Sequence, residues 1–135
     1  MKDPKKVADG KRSKVQGAAF ELRVRKDLEE KGWIVDRWSN NVKDNKLVPA
    51  KVTWRRTPKG MFPMGLNSGF PDFTAFRYDT KIIGVECKMT GKLDKEEKEK
   101  CQWLLDNNIF SKILIASKEK EKNRIKIVYT EWKPQ

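Results

Sequence analysis

The sequence predicts a single α/β domain in which a mixed sheet of about five strands is flanked by helices. Two segments repeat their apolar residues at the spacing of a helix, and five short runs are rich in the β-branched and aromatic residues typical of strands. These elements follow one another in the order α-β-β-β-α-β-β. A chain of 135 residues can bury one modest core but not two, so we expect residues 1–135 to form one domain.

The first helix is predicted at about residues 14–31. Ser13 can cap its N-terminus, and Gly32 can end it. Residues 1–13 are polar, basic and interrupted by proline and glycine, so we expect a flexible tail there. A strand is predicted directly after the helix, at 33–38. The apolar stripe of the helix consists of Phe20, Val24 and Leu28.

A basic insertion follows the first strand at residues 39–69. It is rich in proline, asparagine and glycine, and a connection of this length without regular structure is usually functional or disordered. Residues 47–56 within it allow a short strand or ribbon. We therefore expect an inserted loop or ribbon in this part of the chain.

Four further strands are predicted after the insertion. The runs at 72–78 and 82–88 are separated by a short polar turn at 79–81, which predicts a hairpin. The last two strands are predicted at 112–117 and 124–130, with a lysine-rich turn between them. The strand at 82–88 carries several large apolar residues, which is typical of a central strand covered on both faces.

A second helix is predicted between these two pairs of strands. Asp94 followed three residues later by Glu97 is the pattern of a capping box, which marks the start of a helix. The apolar residues Cys101, Leu104 and Leu105 then supply a buried face that extends to Asn107 or Asn108.

Composition limits the chemistry available to this chain. It carries 31 Lys and Arg against 19 Asp and Glu, a formal net charge of +12, and this excess favours an anionic polymer or surface as partner. It has no histidine, which excludes Ser-His-Asp hydrolases, histidine-based zinc sites and nucleases with a histidine general base. Hydrolytic chemistry would therefore depend on carboxylates, lysine and a metal ion.

The same composition argues against a membrane partner. No apolar run approaches the roughly 18 residues needed to cross a bilayer, and no apolar stretch follows the lysine-rich N-terminus as it would in a signal peptide. The two cysteines, Cys87 and Cys101, lack the spacing of a metal site. We expect a cytoplasmic protein, expressed in a cellular or viral host.

The positive charge is concentrated in two stretches. Residues 1–14 carry six bases and two acids, and residues 37–60 carry seven bases and one acid. A run of charge is often no more than a solvated face, and this alternative stays open for the N-terminal stretch. In the second stretch Trp38 and Trp54 interleave the bases, a combination suited to phosphate contacts and base stacking.

The most informative segment is Asp72, which is separated by thirteen residues from Glu86, Cys87 and Lys88. Side chains alternate along a strand, so Glu86 and Lys88 project from one face, and pairing of the two strands would bring Asp72 to them. Asp72 and Glu86, with the backbone carbonyl of Cys87, are hard oxygen ligands for Mg²⁺. Such a metal acidifies the attacking water in phosphodiester hydrolysis, and Lys88 can stabilise charge developing on the phosphate.

Structural alternatives exist for each of these residues. Glu86 and Lys88 are also compatible with an ion pair on an exposed strand, and Asp72 with an ordinary strand start. Glu21 lies on the buried side of the first helix, where a carboxylate is unusual unless it is paired or binds a metal. Pairing with Arg25, four residues later, would explain it without a metal.

The segment Pro71-Asp72 with Glu86-Cys87-Lys88 resembles the motif of the PD-(D/E)xK nucleases. Gly17-Ala-Ala-Phe-Glu21 and residues 32–37 are similar to the corresponding segments of archaeal Holliday-junction resolvases. The resemblance covers roughly residues 16–117 and implies a restriction-endonuclease-like core. It also implies that Glu21, Asp72 and Glu86 cluster around Mg²⁺, which Mn²⁺ would replace, and that Lys88 is catalytic.

A second branch of the superfamily is also similar. Ser68-Gly-Phe-Pro-Asp72 with the later Glu-x-Lys resembles the virus-type replication-repair nucleases. Unlike the archaeal resolvases, this chain has about thirty residues between Ser39, which matches a serine near their substrate, and Asp72. This departure puts junction specificity in question, because the insertion changes which DNA shape fits.

The expected function is that of a Mg²⁺-dependent, structure-selective DNA endonuclease of the Holliday-junction-resolvase type, acting on branched or otherwise non-linear DNA. The alternatives are a flap, nick or repair nuclease of the same superfamily, a non-catalytic DNA-binding subunit, and a basic RNA-binding or ribosome-associated protein. A homodimer is expected from the resemblance, since two symmetric cuts need two active sites. The expected DNA contacts are Ser39, Lys43, Lys46, Lys51, Trp54, Arg55, Arg56, Lys92 and Gln102.

Overall fold

A five-stranded mixed sheet forms the centre of the fold in the computed structural model, which describes residues 4–50, 52–66 and 69–134. The helices are α1 (Pro4–Glu30) and α2 (Lys95–Asp106). The strands are β1 (Ile34–Arg37), β2 (Asn40–Lys43), β3 (Lys46–Pro49), β4 (Val52–Thr57), β5 (Gly60–Leu66), β6 (Phe73–Phe76), β7 (Ile83–Cys87), β8 (Ile113–Glu121) and β9 (Arg124–Glu131). The predicted α/β class, with a five-stranded mixed sheet and two helices, is confirmed.

The strand order in the central sheet is β1-β6-β7-β8-β9. The hairpin predicted between the strands before and after residues 79–81 is confirmed, because β6 pairs with β7 in antiparallel register. Strand β7 pairs with β8 in parallel, and helix α2 lies between these two strands in the chain. Strand β7 is therefore the middle strand, and its carboxyl end lies where open α/β sheets bind their ligands.

Two hydrophobic clusters lie on opposite faces of this sheet. The first joins the predicted stripe of α1 to inward-facing residues of β1, β6 and β7. The second joins Cys101 and Leu104 of α2 to Phe110 and to Ile113 and Ile115 of β8. Strand β7 contributes Ile83 and Val85 to the first face and Gly84 and Glu86 to the second. Ile82 lies outside β7 and is half exposed, so the second face of β7 is less apolar than the sequence predicts.

Helix α1 begins earlier than predicted. The predicted start at Lys14, with Ser13 as the cap, is wrong: the helix begins at Pro4, so residues 4–13 are helical where a flexible tail was predicted. Lysine, alanine, valine and arginine are compatible with a helix, and proline is tolerated in its first turn. The predicted end is confirmed: Gly32 has a φ of +91°, and the N–H of Trp33 donates to the carbonyl of Leu28, which is a Schellman ending.

Helix α2 begins at the predicted capping box. The side chain of Asp94 accepts a hydrogen bond from the N–H of Glu97 at 2.8 Å, and the side chain of Glu97 accepts one from the N–H of Asp94 at 3.1 Å. Asn107 closes the helix, as predicted. The capping box therefore holds the Glu97 side chain at the beginning of α2.

The insertion forms two separate antiparallel ribbons. Strands β2 and β3 pair around a tight turn at Asp44 and Asn45, whose φ angles of 51° and 57° are typical of a two-residue hairpin turn. Strands β4 and β5 pair around Pro58 and Lys59. Neither ribbon joins the central sheet. Within the described residues, no helix is long and apolar enough to span a membrane.

Candidate active site

Asp72 is held at the start of β6 by contacts to both neighbouring strands. Its backbone carbonyl accepts the N–H of Trp38, which follows β1, and its Oδ2 accepts the N–H of Cys87 at 2.8 Å. Pro71 packs over Gly84 of β7, where an added Cβ would lie 2.8 Å from the Pro71 Cγ atom. The absence of a side chain at Gly84 therefore lets the segment carrying Asp72 lie directly against β7.

Glu86 is the buried carboxylate of the site. The residue is 5% exposed, and its carboxyl group lies beside that of Asp72. Burial raises the pKa of Glu86 strongly, the contact with Asp72 and the charge of Glu97 raise it further, and Lys88 only partly opposes this. A buried carboxyl that touches a second carboxyl holds a shared proton or requires a cation beside it.

Lys88 follows β7 and is fixed by helix α2. Its Nζ atom lies 2.8 Å from Oε2 of Glu97. Partial burial acts to lower the pKa of Lys88, but the hydrogen bond and charge of Glu97 outweigh it, and the pKa is raised. Lys88 is therefore a permanently charged group whose orientation is set by Glu97.

The sequence pattern predicts Glu97 only as part of the helix cap. Its Oε1 completes the capping box while its Oε2 holds Lys88, so one side chain links the helix start to the candidate catalytic lysine. The sequence places Glu97 in the first turn of a helix that begins shortly after Glu86 and Lys88. This position indicates that Glu97 is close to Lys88 along the chain, but it does not indicate the direction of the Glu97 side chain.

Glu21 approaches the same place from helix α1. Burial raises its pKa, the charge of Asp72 adds to this, and Arg37 acts in the opposite direction. The Nη2 atom of Arg37 lies 3.8 Å from the Oε2 atom of Glu21, whereas Arg25 forms its salt bridge with Glu29. The alternative in which Arg25 neutralises Glu21 is therefore not the arrangement found.

The thiol of Cys87 is within electrostatic reach of three carboxylates. Burial raises the pKa of its thiol, and the charges of Asp72, Glu21 and Glu86 raise it further. All three carboxylates therefore act on one point near the end of β7. The thiol stays protonated, so only the backbone carbonyl of Cys87 is suited to be a hard-metal ligand. In the described residues, no three Asp, Glu or Cys side chains form a ready-made metal-binding group.

The predicted DNA contacts are dispersed around the fold. Ser39 is exposed, and its carbonyl accepts the N–H of Ala50 at the base of the insertion. Lys43 and Lys46 are exposed beside the β2–β3 turn. Lys92 is exposed before α2 and lines a cavity of about 400 Å³ that none of the site carboxylates lines. Trp54, Arg55 and Arg56 are exposed on β4.

One further predicted position is not brought to the site, and another lies outside the described residues. Gln102 donates to Asp106 on its own helix at 2.7 Å and lines a cavity with Trp132, so it faces away from the carboxylates. Lys51 lies outside the described residues, as does Ser68 of the motif. Comparisons with protein-family models, with curated proteins and with solved structures found no match to this chain.

Proposed function

We propose that this protein is a metal-dependent DNA endonuclease of the PD-(D/E)xK type with a restriction-endonuclease-like core. The observation that carries the proposal is the contact between buried Glu86 and Asp72, with charged Lys88 beside them. A binding module has no use for carboxylates that face phosphates, because like charges weaken binding unless a cation bridges them. This argues against the non-catalytic and RNA-binding alternatives.

The donor set fits a hard divalent cation. Asp72 and Glu86 are oxygen ligands in direct contact, and within the described residues the only base acting on Glu86 is Lys88, which is already bound to Glu97. Asp72, Glu86 and the Cys87 carbonyl would hold Mg²⁺ or Mn²⁺, with Glu21 acting on it from α1. When bound, the ion would polarise the phosphate and acidify a water molecule.

The chain's own residues supply the rest of the mechanism. Lys88 stabilises negative charge that develops on the phosphate or orients the attacking water. Glu97 holds Lys88 through its Oε2 atom, so that it is positioned before the substrate arrives. The Cys87 N–H fixes Oδ2 of Asp72, and the other carboxylate oxygen would be available to a metal ion. These contacts make the site rigid, as phosphoryl transfer requires.

The proposed substrate is branched DNA. A resolvase that cuts a four-way junction symmetrically needs two active sites, so we propose a homodimer. We also propose a cytoplasmic location. A flap or nick nuclease of the same superfamily is the alternative, and it needs only one site. The chemistry is the same in both cases, so substrate form separates them.

The test is cleavage of labelled four-way junction, flap, nicked, single-stranded and plain duplex DNA with Mg²⁺ and with EDTA. Lys88→Ala should abolish cleavage and leave DNA binding largely intact, and Asp72→Asn should weaken metal binding and cleavage together. Matched controls are Lys126→Ala and Asp79→Asn, which change exposed residues of the same types. Normal cleavage by both site variants would refute the site assignment, and no metal-dependent cleavage of any substrate would refute the proposed function.

A further inference from the structure

The β4–β5 ribbon exposes large apolar side chains on both of its faces. Trp54 is 57% exposed, Met61 56% and Phe62 49%. An isolated two-stranded ribbon is marginally stable in water, and exposed aromatic residues in a monomer usually mark a binding surface. The ribbon therefore presents a candidate binding surface.

The register of the two strands assigns these side chains to opposite faces. Arg55 pairs with Phe62, and Arg56 pairs with Met61, so each arginine shares a face with the apolar residue opposite it. Trp54 lies two residues from Arg56 and therefore on the face of Met61. Each face thus combines one arginine with at least one large apolar side chain.

The charge of the ribbon indicates the class of partner. Residues 52–66 contain three bases, Arg55, Arg56 and Lys59, and no acid. Within the described part of the chain, none of the three forms a salt bridge. Arginine beside an aromatic surface is suited to phosphate contact combined with base stacking.

Residues that flank the ribbon on both sides are hydrogen-bonded to the segment after β1, next to Asp72. Ala50, before β4, donates to the carbonyl of Ser39 at 2.8 Å, and Gly69, after β5, donates to the carbonyl of Trp38 at 3.1 Å. Trp38 in turn donates to the carbonyl of Asp72. A Cβ at Gly69 would collide with the backbone of Asn40, so this connection tolerates no side chain. The described residues on either side of the ribbon are therefore linked by hydrogen bonds to the segment that carries Asp72.

We propose that the β4–β5 ribbon is a wedge that enters branched DNA between two duplex arms, with one face against each arm. A branch point exposes two base-pair faces with phosphates beside them, and the ribbon offers apolar and arginine side chains on two faces. An uninterrupted duplex has no such opening. This inference rests on the proposed function, because it takes branched DNA as the substrate. Trp54, Met61 and Phe62 would select branched DNA over plain duplex DNA.

Binding in EDTA tests the wedge separately from cleavage. The probes are a fluorescein-labelled flap junction and a plain duplex of the same sequence, titrated by fluorescence anisotropy. Trp54→Ala and the double variant Met61→Ser with Phe62→Ser should lose about 5- to 150-fold affinity for the flap junction. Their affinity for the plain duplex should stay within about twofold of the wild type. Arg55→Gln with Arg56→Gln should weaken both complexes and reduce the salt slope by up to about two.

The controls lie at the beginning of β9, in another exposed strand hairpin. Arg124→Gln and Ile125→Ser change an exposed arginine and an exposed apolar residue and should leave both affinities unchanged. Because Trp54, Met61 and Phe62 are exposed, their variants should unfold close to the wild-type temperature, which thermal melts will verify.

Each outcome separates the wedge from the nuclease. Equal losses on flap and plain duplex with the apolar variants would overturn the wedge in favour of contact along a groove. No loss on the flap junction with those variants would also overturn it, and no loss with any variant would show that the ribbon does not bind DNA. In each case, metal-dependent cleavage by the wild type would leave the nuclease proposal standing. Selective flap binding that depends on the ribbon, without cleavage of any substrate, would support the wedge and refute the nuclease.

Discussion

Replacing Glu86 by glutamine should stabilise the metal-free protein above neutral pH. Glu86 is 5% exposed and touches Asp72, and burial together with that contact raises its pKa in the folded state. In the unfolded chain the carboxyl returns to its ordinary pKa of 4.5. Between these two values the folded protein binds a proton that the unfolded chain has lost. The free energy of unfolding therefore decreases as the pH rises above the unfolded pKa.

The size of this effect follows from proton linkage. One proton bound only in the folded state lowers the free energy of unfolding by about 1.4 kcal/mol for each pH unit. Raising the pH from 5 to 8 therefore lowers it by at most about 4 kcal/mol. For a domain of 135 residues, an unfolding entropy of about 2.1 cal/mol/K per residue converts this loss to a decrease in Tm of roughly 14 °C. The Glu86→Gln variant lacks the titrating group, so its Tm should change less over the same range.

The assay is thermal unfolding in EDTA between pH 5 and pH 8. The measured quantity is the difference in pH dependence between the wild type and Glu86→Gln, because groups far from Glu86 titrate equally in both. Glu119→Gln removes an exposed carboxyl and serves as the matched control. Identical pH dependence in the wild type and Glu86→Gln would refute the assignment of Glu86 as the buried carboxyl with a raised pKa.

The remaining predictions concern metal binding, packing and one side-chain hydrogen bond. Mg²⁺ at a hundred times its Kd should stabilise the wild type by about 2.7 kcal/mol, or roughly 10 °C in Tm, and a melt with and without Mg²⁺ measures this. Gly84→Ala places a Cβ 2.8 Å from Pro71 and should cost about 1–3 kcal/mol, whereas Gly17→Ala adds its methyl to open space in α1 and should raise Tm. Equal shifts in the two alanine variants would contradict the packing argument. Tyr129→Phe removes a 2.6 Å hydrogen bond to Asp27 and should cost about 1–2 kcal/mol by urea unfolding, and an unchanged midpoint would show that water replaces the hydroxyl.

Local patterns in the sequence determine much of the fold. The capping box at Asp94 and Glu97 and the glycine ending at Gly32 each depend on residues within a few positions, so they could be predicted. The approach of Asp72 to Glu86 could also be predicted. A short turn forces β6 and β7 to pair, and the alternation of side chains along each strand determines which face of the sheet each residue occupies. The start of α1 was missed because the weak signal from polar helix-forming residues was outweighed by proline and glycine.

Only the tertiary structure decides how distant segments meet at the candidate site. The partner of Glu21 proved to be Arg37 rather than Arg25, since a residue on the next strand lies closer than one a helical turn away. Glu97 faces Lys88 because α2 packs across the second face of the sheet, and spacing along the chain does not specify that direction. The insertion forms two ribbons through strand pairing, which depends on backbone hydrogen bonds between segments that lack a strong apolar alternation. Residue type and order therefore predict the chemistry, and the packing of α1 and α2 on the sheet determines which charged groups act together.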